Sequence, residues 1–270
     1  ITGGVPHYNN KLGVRESVDE ALLDNFFDRS SYLYEEPANL LKQELREPAI
    51  YNAIITAIAQ GASRINDIAL KTGQENSVVS KYLGTLIDLG IVKKETPVAE
   101  KIGKKTIYEL ADNFFRFWYR FVPANMSAID SGRIQKSYAN TIKKNLPDYM
   151  GLTFEHMCRD YLLYYEKDLP IELNQVGQWW GTDNKNKKQV QIDIIGTPVE
   201  GDEYIIGSCK YRNEKIGLDE LELIREYAQV FGKGKKYYYY IFSKGGFTEG
   251  LIQAQNRGEV RLIGLDDLYA

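Results

Sequence analysis

Apolar residues recur at helical spacing through the first half of the chain and give way to strand-like runs in the second. The helical signal sharpens at Tyr51, where Tyr51, Ile54, Ile55 and Ile58 fall on one face before Gly61. A second helix is expected from Ile65 and stops at Gly73. A third, capped by Asn76 or Ser77, carries Val78, Val79, Tyr82, Leu83, Leu86 and Leu89 on its inner side and ends before Gly90. Two β-like segments, 91–98 and 106–110, flank the basic stretch Lys101-Ile102-Gly103-Lys104-Lys105. Three helices, a short turn between the second and third, and a basic hairpin spell a winged helix-turn-helix over 49–112.

The segment before it, 1–48, has little periodicity of its own. Ser17-Val18-Asp19-Glu20 has the form of a capping box. A helical stretch over 33–45 is expected to be interrupted by Pro37, and the whole segment should lean on another part of the chain. After the hairpin comes Phe114, Phe115, Phe117, Trp118, Tyr119 and Phe121, a cluster too dense to stay exposed on a lone helix, so 113–138 reads as an aromatic linker packed between domains. From 139 the order changes. A helix over 151–165 precedes strands over 171–180, 189–196 and 203–211 in a meander, then a helix over 218–231, a strand over 236–243, a helix over 248–256 and a strand over 260–264. That α-β-β-β-α-β-α-β order gives a mixed α/β layered domain over 139–270.

Length agrees with this division, since 270 residues exceed one typical domain. A charged fraction of 26% against 43% hydrophobic argues for folded globular protein. No apolar run approaches the roughly 18–20 residues that span a bilayer, so no membrane partner is expected. The first residues lack an initiator Met and a signal peptide's pattern, which suggests a chain cut from a longer one. Two cysteines, Cys158 and Cys209, are too few for a disulfide framework and fit a reducing cytoplasm. A net charge of −3 excludes a uniformly basic nucleic-acid binder but leaves room for a local basic face. The run Tyr237–Tyr240 reads as strand rather than stacking platform.

The element order after 139 is the core order of the PD-(D/E)XK nuclease superfamily, the restriction-endonuclease-like fold. Such a site needs carboxylates from different elements to hold a hard divalent cation, and a lysine near the attacking water. Asp193 in the second strand, Lys210 in the third and Glu155 on the preceding helix are the catalytic candidates, with Glu155 and Asp193 as metal ligands. Strand alternation puts Gln191 with Asp193, and Ser208 with Lys210. Ser208 stands where the pattern has an acid. With one carboxylate missing, the expected outcome is a scaffold that no longer cuts; a metal-dependent DNA endonuclease is the alternative. Other sites fare worse. His7 and His156 have no acid–nucleophile arrangement around them, and Gly232-Lys233-Gly234-Lys235-Lys236 lacks the spacing of a P-loop.

Several segments together resemble one family, the archaeal-type ATPases, which also occur in bacteria. Ile1-Thr2-Gly3-Gly4-Val5-Pro6-His7-Tyr8 resembles the stretch just beyond their ATPase core. Glu36-Pro37-Ala38-Asn39-Leu40-Leu41, the winged helix and Phe114–Phe121 resemble the next segments of that family. Phe154-Glu155-His156-Met157-Cys158, Ile192-Asp193-Ile194 and Ser208-Cys209-Lys210 resemble its nuclease-like C-terminal domain. The resemblance implies that 1–48 is the helical lid of an ATPase core absent from this chain, that ATP binds only in that missing domain, and that the C-terminal region engages DNA or a partner. Duplex DNA would meet Asn76, Ser77, Ser80 and Lys81 on the third helix and Lys101, Lys104 and Lys105 on the wing. Mg²⁺ is the cofactor the nuclease-like domain would take. A third reading makes both domains structural, serving a protein partner or self-association.

Overall fold

A computed structural model describes the chain except residues 14, 100–104 and 270. Its contacts divide into two compact units, Ile1–Glu95 with Thr106–Asn145, and Thr96–Lys105 with Leu146–Ala270. The architecture is mixed α/β: helices dominate the first unit, and the described residues of the second form a five-stranded sheet. No helix among the described residues is long and apolar enough to cross a membrane.

The first unit opens with α1 (Pro6–Leu12), α2 (Val18–Phe26) and α3 (Tyr32–Glu44). Ser17 caps α2 as its spacing predicts, its hydroxyl accepting from the Glu20 N–H at 3.2 Å. Pro37 does not interrupt α3. Its ring removes one backbone donor, a loss of about 3 kcal/mol in a helix interior, but Leu33, Pro37 and Leu41 share a buried face that holds the helix together.

Then come α4 (Pro48–Ala59), α5 (Ile65–Thr72) and α6 (Asn76–Asp88), followed by an antiparallel pair, β1 (Val92–Glu95) and β2 (Ile107–Leu110). Gly73 ends α5 in the left-handed region at φ 66°, where a side chain would be strained. The cap of α6 is Glu75, and Asn76 is its first helical residue; neither Asn76 nor Ser77 caps it. β1 ends at Glu95 instead of running to 98, because Pro97 has no N–H for a ladder and Val98 is buried in the second unit.

Helix α7 (Asn113–Phe121) is the centre of the first unit rather than a linker. Asp112 caps it, accepting from the Phe115 N–H at 2.8 Å. Phe114 stacks on Tyr8 at 4.4 Å and Phe117 meets Phe26 edge-on at 4.7 Å, so α7 supplies the core that 1–48 lacks by itself. Two short helices, α8 (Met126–Asp130) and α9 (Ile134–Ser137), and a π-helical turn over Tyr138–Ile142 lead into α10 (Lys143–Tyr164), whose residues from Leu146 onward belong to the second unit.

The second unit continues with β3 (Leu173–Asp183), β4 (Lys188–Pro198), β5 (Glu203–Lys210), α11 (Leu218–Phe231), β6 (Lys236–Ser243), α12 (Glu249–Asn256) and β7 (Arg261–Gly264). The sheet order is β3-β4-β5-β6-β7; the first three strands pair antiparallel as a meander, and β6 and β7 join parallel through helical crossovers. Alternation sends Ile205, Phe242 and Ile263 to one face, under Phe154, Cys158 and Leu162 of α10. Ile206, Ile241 and Leu262 go to the other, under Leu221 and Ile224 of α11 and Leu251 of α12. The outer edge of β3 is partly covered by the described parts of 96–105. There the Val98 N–H donates to the Gln178 carbonyl at 2.9 Å, and a Cβ on Gly177 would lie 2.7 Å from Val98 Cγ1.

Candidate functional site

The ladder between β4 and β5 stops short. Its last pair is Ile194 with Gly207, and beyond it the two strands part, leaving Asp193 and Ser208 at the fork. On the other side of β4 the register slips: Gly177 pairs with Ile195 but Trp179 with Ile192, so Asp193 and Ile194 together oppose Gln178. This is a β-bulge, a device that re-aims a side chain. Alternation along β4 therefore breaks between Asp193 and Ile194, so simple pleating does not set the direction of the Asp193 side chain.

The bulge is held from two sides. Cys209 N–H donates to Asp193 Oδ2 at 2.9 Å, taking the carboxylate as a substitute for the lost ladder bond, and Arg159 Nε of α10 donates to the Asp193 carbonyl at 3.1 Å. Burial raises the Asp193 carboxyl above its ordinary value; the Cys209 N–H and Lys210 oppose this, and the negative charge of Glu220 adds to it.

Ser208 and Lys210 lie on the α11 face of β5, as period-two alternation predicts, and there they meet a residue that the strand pattern does not reveal. Glu220 of α11 accepts from the Ser208 hydroxyl at 2.7 Å and pairs with Lys210 Nζ at 3.2 Å. Ser208 Oγ is also 3.4 Å from Asp193 Oδ2, so one hydroxyl touches both carboxylates. A signal for Glu220 exists in the sequence all the same. Glu220, Ile224 and Ala228 recur at i, i+4 and i+8, which puts an acid on the buried stripe of a helix. A carboxylate there has to be met by polar partners. These groups line a cleft of about 410 Å³ between β4, β5 and α11.

Glu155 is not among the residues lining that cleft. It sits on α10, which packs on the opposite sheet face, with Arg159 Nη2 3.5 Å from its carboxylate. The two cysteines also fall on that side. Both are free and buried, and Cys209's thiol is pushed well up, first by burial and then by Cys158 beside it.

In the first unit, Asn76, Ser77, Ser80 and Lys81 are all exposed along α6, opposite buried Val79, Tyr82, Leu83 and Leu86. Asn76 Nδ2 donates to Asn66 Oδ1 at 2.8 Å, fastening α6 to α5. Of the wing lysines, Lys101 and Lys104 lie outside the described residues. Lys105 belongs to the second unit, where its half-buried ammonium is 3.5 Å from the Trp180 carbonyl and 5.8 Å from the Trp179 ring.

A family described as archaeal and bacterial proteins of unknown function, DUF234, matches residues 118–222. That stretch contains Asp193, Ser208, Lys210 and Glu220. An uncharacterized protein of Methanocaldococcus jannaschii, MJECL04, is 27% identical over 276 residues, covering 98% of this chain. The chain spans 58% of that relative's length. The crystal structure of protein VC1899 from Vibrio cholerae aligns over 88% of this chain and 54% of its own at 12% identity, with a TM-score of 0.37, too loose a fit to carry an argument.

Proposed function

We propose that the second unit hydrolyses phosphodiester bonds with a divalent cation, and that the chain is the DNA-engaging C-terminal region of a longer archaeal-type ATPase. Glu220 carries the reading. A carboxylate delivered from α11 to the Ser208 hydroxyl at 2.7 Å makes up the one that Ser208 itself cannot supply. Two carboxylates and a hydroxyl are all hard oxygen donors, the set that suits Mg²⁺ or Mn²⁺ rather than a softer metal. A cation held by Asp193 and Glu220 would supply an acidified water and positive charge for the phosphate oxygens. The remaining tasks fall to this chain's own side chains. Ser208 orients Glu220, Cys209 N–H and Arg159 fix the Asp193 bulge, and Lys210 holds an ammonium at the cleft for a phosphate oxygen or the attacking water. On this reading the α10-to-β7 order is the PD-(D/E)XK fold, with its second acid moved from strand to helix.

Calorimetry with Mn²⁺ tests it. The chain should bind one cation, and Asp193→Asn and Glu220→Gln should each weaken binding tenfold or more and abolish Mn²⁺-dependent nicking of plasmid. Absence of binding in the wild type, or affinity unchanged by both variants, overturns the proposal and returns the unit to a lapsed scaffold.

The row of exposed polar residues on α6 favours a second activity, duplex binding by a winged helix built from α4–α6 and β1–β2. Lys81→Ala should weaken duplex binding and flatten its salt dependence by about one ion. An unchanged slope removes α6 from the interface. ATP turnover has no motif in this chain; the reading assigns it to the part of the longer protein that lies outside these residues.

A further inference from the structure

The cleft holds more than the charged cluster uses. From Asp193 it runs along β4 past Gln191 and Gln189, and along α11 past Leu223 and Ile224 to Tyr227. Gln189 and Gln191 are exposed, and Tyr227 is half-buried. Lys188, the first residue of β4, sets its ammonium 5.4 Å from the centre of the Tyr227 ring, and Lys185 and Lys187 are exposed in the same hairpin turn. One end of the cleft is therefore anionic, with a lysine. The other pairs an aromatic and aliphatic wall with two side-chain amides, under a basic rim.

Those far-end groups match a nucleotide. A tyrosine ring flanked by leucine and isoleucine offers a flat apolar surface on which any base can stack. Gln189 and Gln191 line the same cleft with amides of the kind that read base edges, donating to Thr182 Oγ1 at 2.9 Å and Gln178 Oε1 at 3.5 Å, and lysines at the rim suit a phosphate. The dimensions agree. Seven residues of helix separate Glu220 from Tyr227, roughly 10 Å, and four residues of strand separate Asp193 from Gln189, roughly 13 Å. That leaves room for about one nucleotide beside a phosphate at the carboxylates. A cleft of 410 Å³ is near the small end of ligand pockets. An intact duplex, whose major groove alone is about 12 Å wide, does not enter it.

We propose that this cleft takes one unpaired nucleotide next to the phosphate presented to Asp193 and Glu220. The substrate of the second unit is then a single strand, or the single-stranded arm of a frayed or branched nucleic acid, rather than intact duplex. The proposal rests on the phosphodiesterase reading above, and its test is chosen to fail separately.

The probe is a single-stranded oligonucleotide carrying 2-aminopurine, whose emission falls when the base stacks, mixed with the whole chain in EDTA so that no metal or cleavage is needed. Emission should fall on binding. Gln191→Trp, which fills the cleft from an exposed strand position, should weaken binding tenfold or more, and Tyr227→Ala roughly tenfold. A blunt duplex of the same sequence should lose less than twofold from either change. If Tyr227→Ala does not fold, Gln191→Trp decides alone. Equal losses on duplex, no effect on the single strand, or no single-strand binding at low salt each overturn the proposal. Intact Mn²⁺ binding with no strand preference sinks the nucleotide site and leaves the metal reading. Single-strand binding without Mn²⁺ binding does the reverse.

Discussion

The stripe along α7 and the fork between β4 and β5 are both dense in conspicuous residues, and they are built on opposite principles. Along α7, Phe114, Phe115, Phe117, Tyr119 and Phe121 are buried, and even the polar ends of the aromatics are satisfied. Trp118 Nε1 donates to the Tyr34 carbonyl at 2.9 Å, and Tyr119 Oη donates to Asn52 Oδ1 at 2.7 Å. The aromatic side chains there are consumed by packing. At the fork, a sheet that could have continued its ladder opens instead, a bulge turns a carboxylate inward, and a second acid sits on a helix's apolar stripe. Burying two carboxylates near each other costs stability unless both are well met. Aromatic density alone is therefore the signature of a core, whereas concentrated, partly buried charge at a broken ladder is the signature of a site.

The two regions should respond to substitution in opposite ways. The largest effect is at Phe117, which is 0% exposed and contacts both Phe26 and Phe27. Phe117→Ala should lower stability by about 3–5 kcal/mol in urea melts, and a loss under about 1 kcal/mol would mean that α7 is not the keystone of the first unit. A smaller effect of opposite sign is expected at the fork. Asp193→Asn keeps an oxygen for the Cys209 N–H while removing a buried negative charge beside Glu220. In metal-free buffer it should leave the second unit as stable as the wild type or raise its stability by about 1 kcal/mol, the usual trade between stability and function. A clear loss of stability would show that Asp193 holds the fold together and would weaken its assignment to a site.

How much of this is legible in the sequence differs between the two regions for a physical reason. The strand positions of Asp193 and Lys210 follow from local patterning, because strand order and period-two alternation are written within a few residues. The bulge is not legible, since it exists only in the register of β4 against β3, where one residue, Gln178, faces two. Glu220 is readable from its spacing with Ile224 and Ala228, but the nuclease pattern points to an acid on the strand, two residues before Lys210, and so away from α11. The aromatic run reads as buried, yet its destination does not, because Tyr8, Phe26 and Phe27 lie some 90 to 110 residues earlier. Val98 is a similar case. Its surroundings read as β-like, but its burial against Trp179 and Val190 in the second unit is a nonlocal choice.

The smallest effect tests the periphery of the aromatic region. Asp19 of α2 accepts from Tyr138 Oη at 2.8 Å and pairs with Lys143, joining α2 to the π-helical turn and the start of α10 within the first unit. The bonds from Lys143 and Tyr138 hold its carboxyl below the ordinary value of 3.8. A depressed acid contributes stability that is fully present above its unfolded value, and this is lost as pH falls through the lower folded value. Asp19→Asn should therefore cost stability at neutral pH and little in strong acid, so the wild-type and variant curves converge as pH drops below about 4. Solvent screens the pair, whose lysine side chain is 58% exposed, and the loss at neutral pH should stay under about 1 kcal/mol. Urea midpoints measured from pH 7 down to the acid limb decide it. A gap that persists unchanged into acid would mean that Asp19 acts through helix capping or packing rather than charge. A gap approaching that of Phe117→Ala would mean that the rim, and not the aromatic stripe, fastens α2 to the unit.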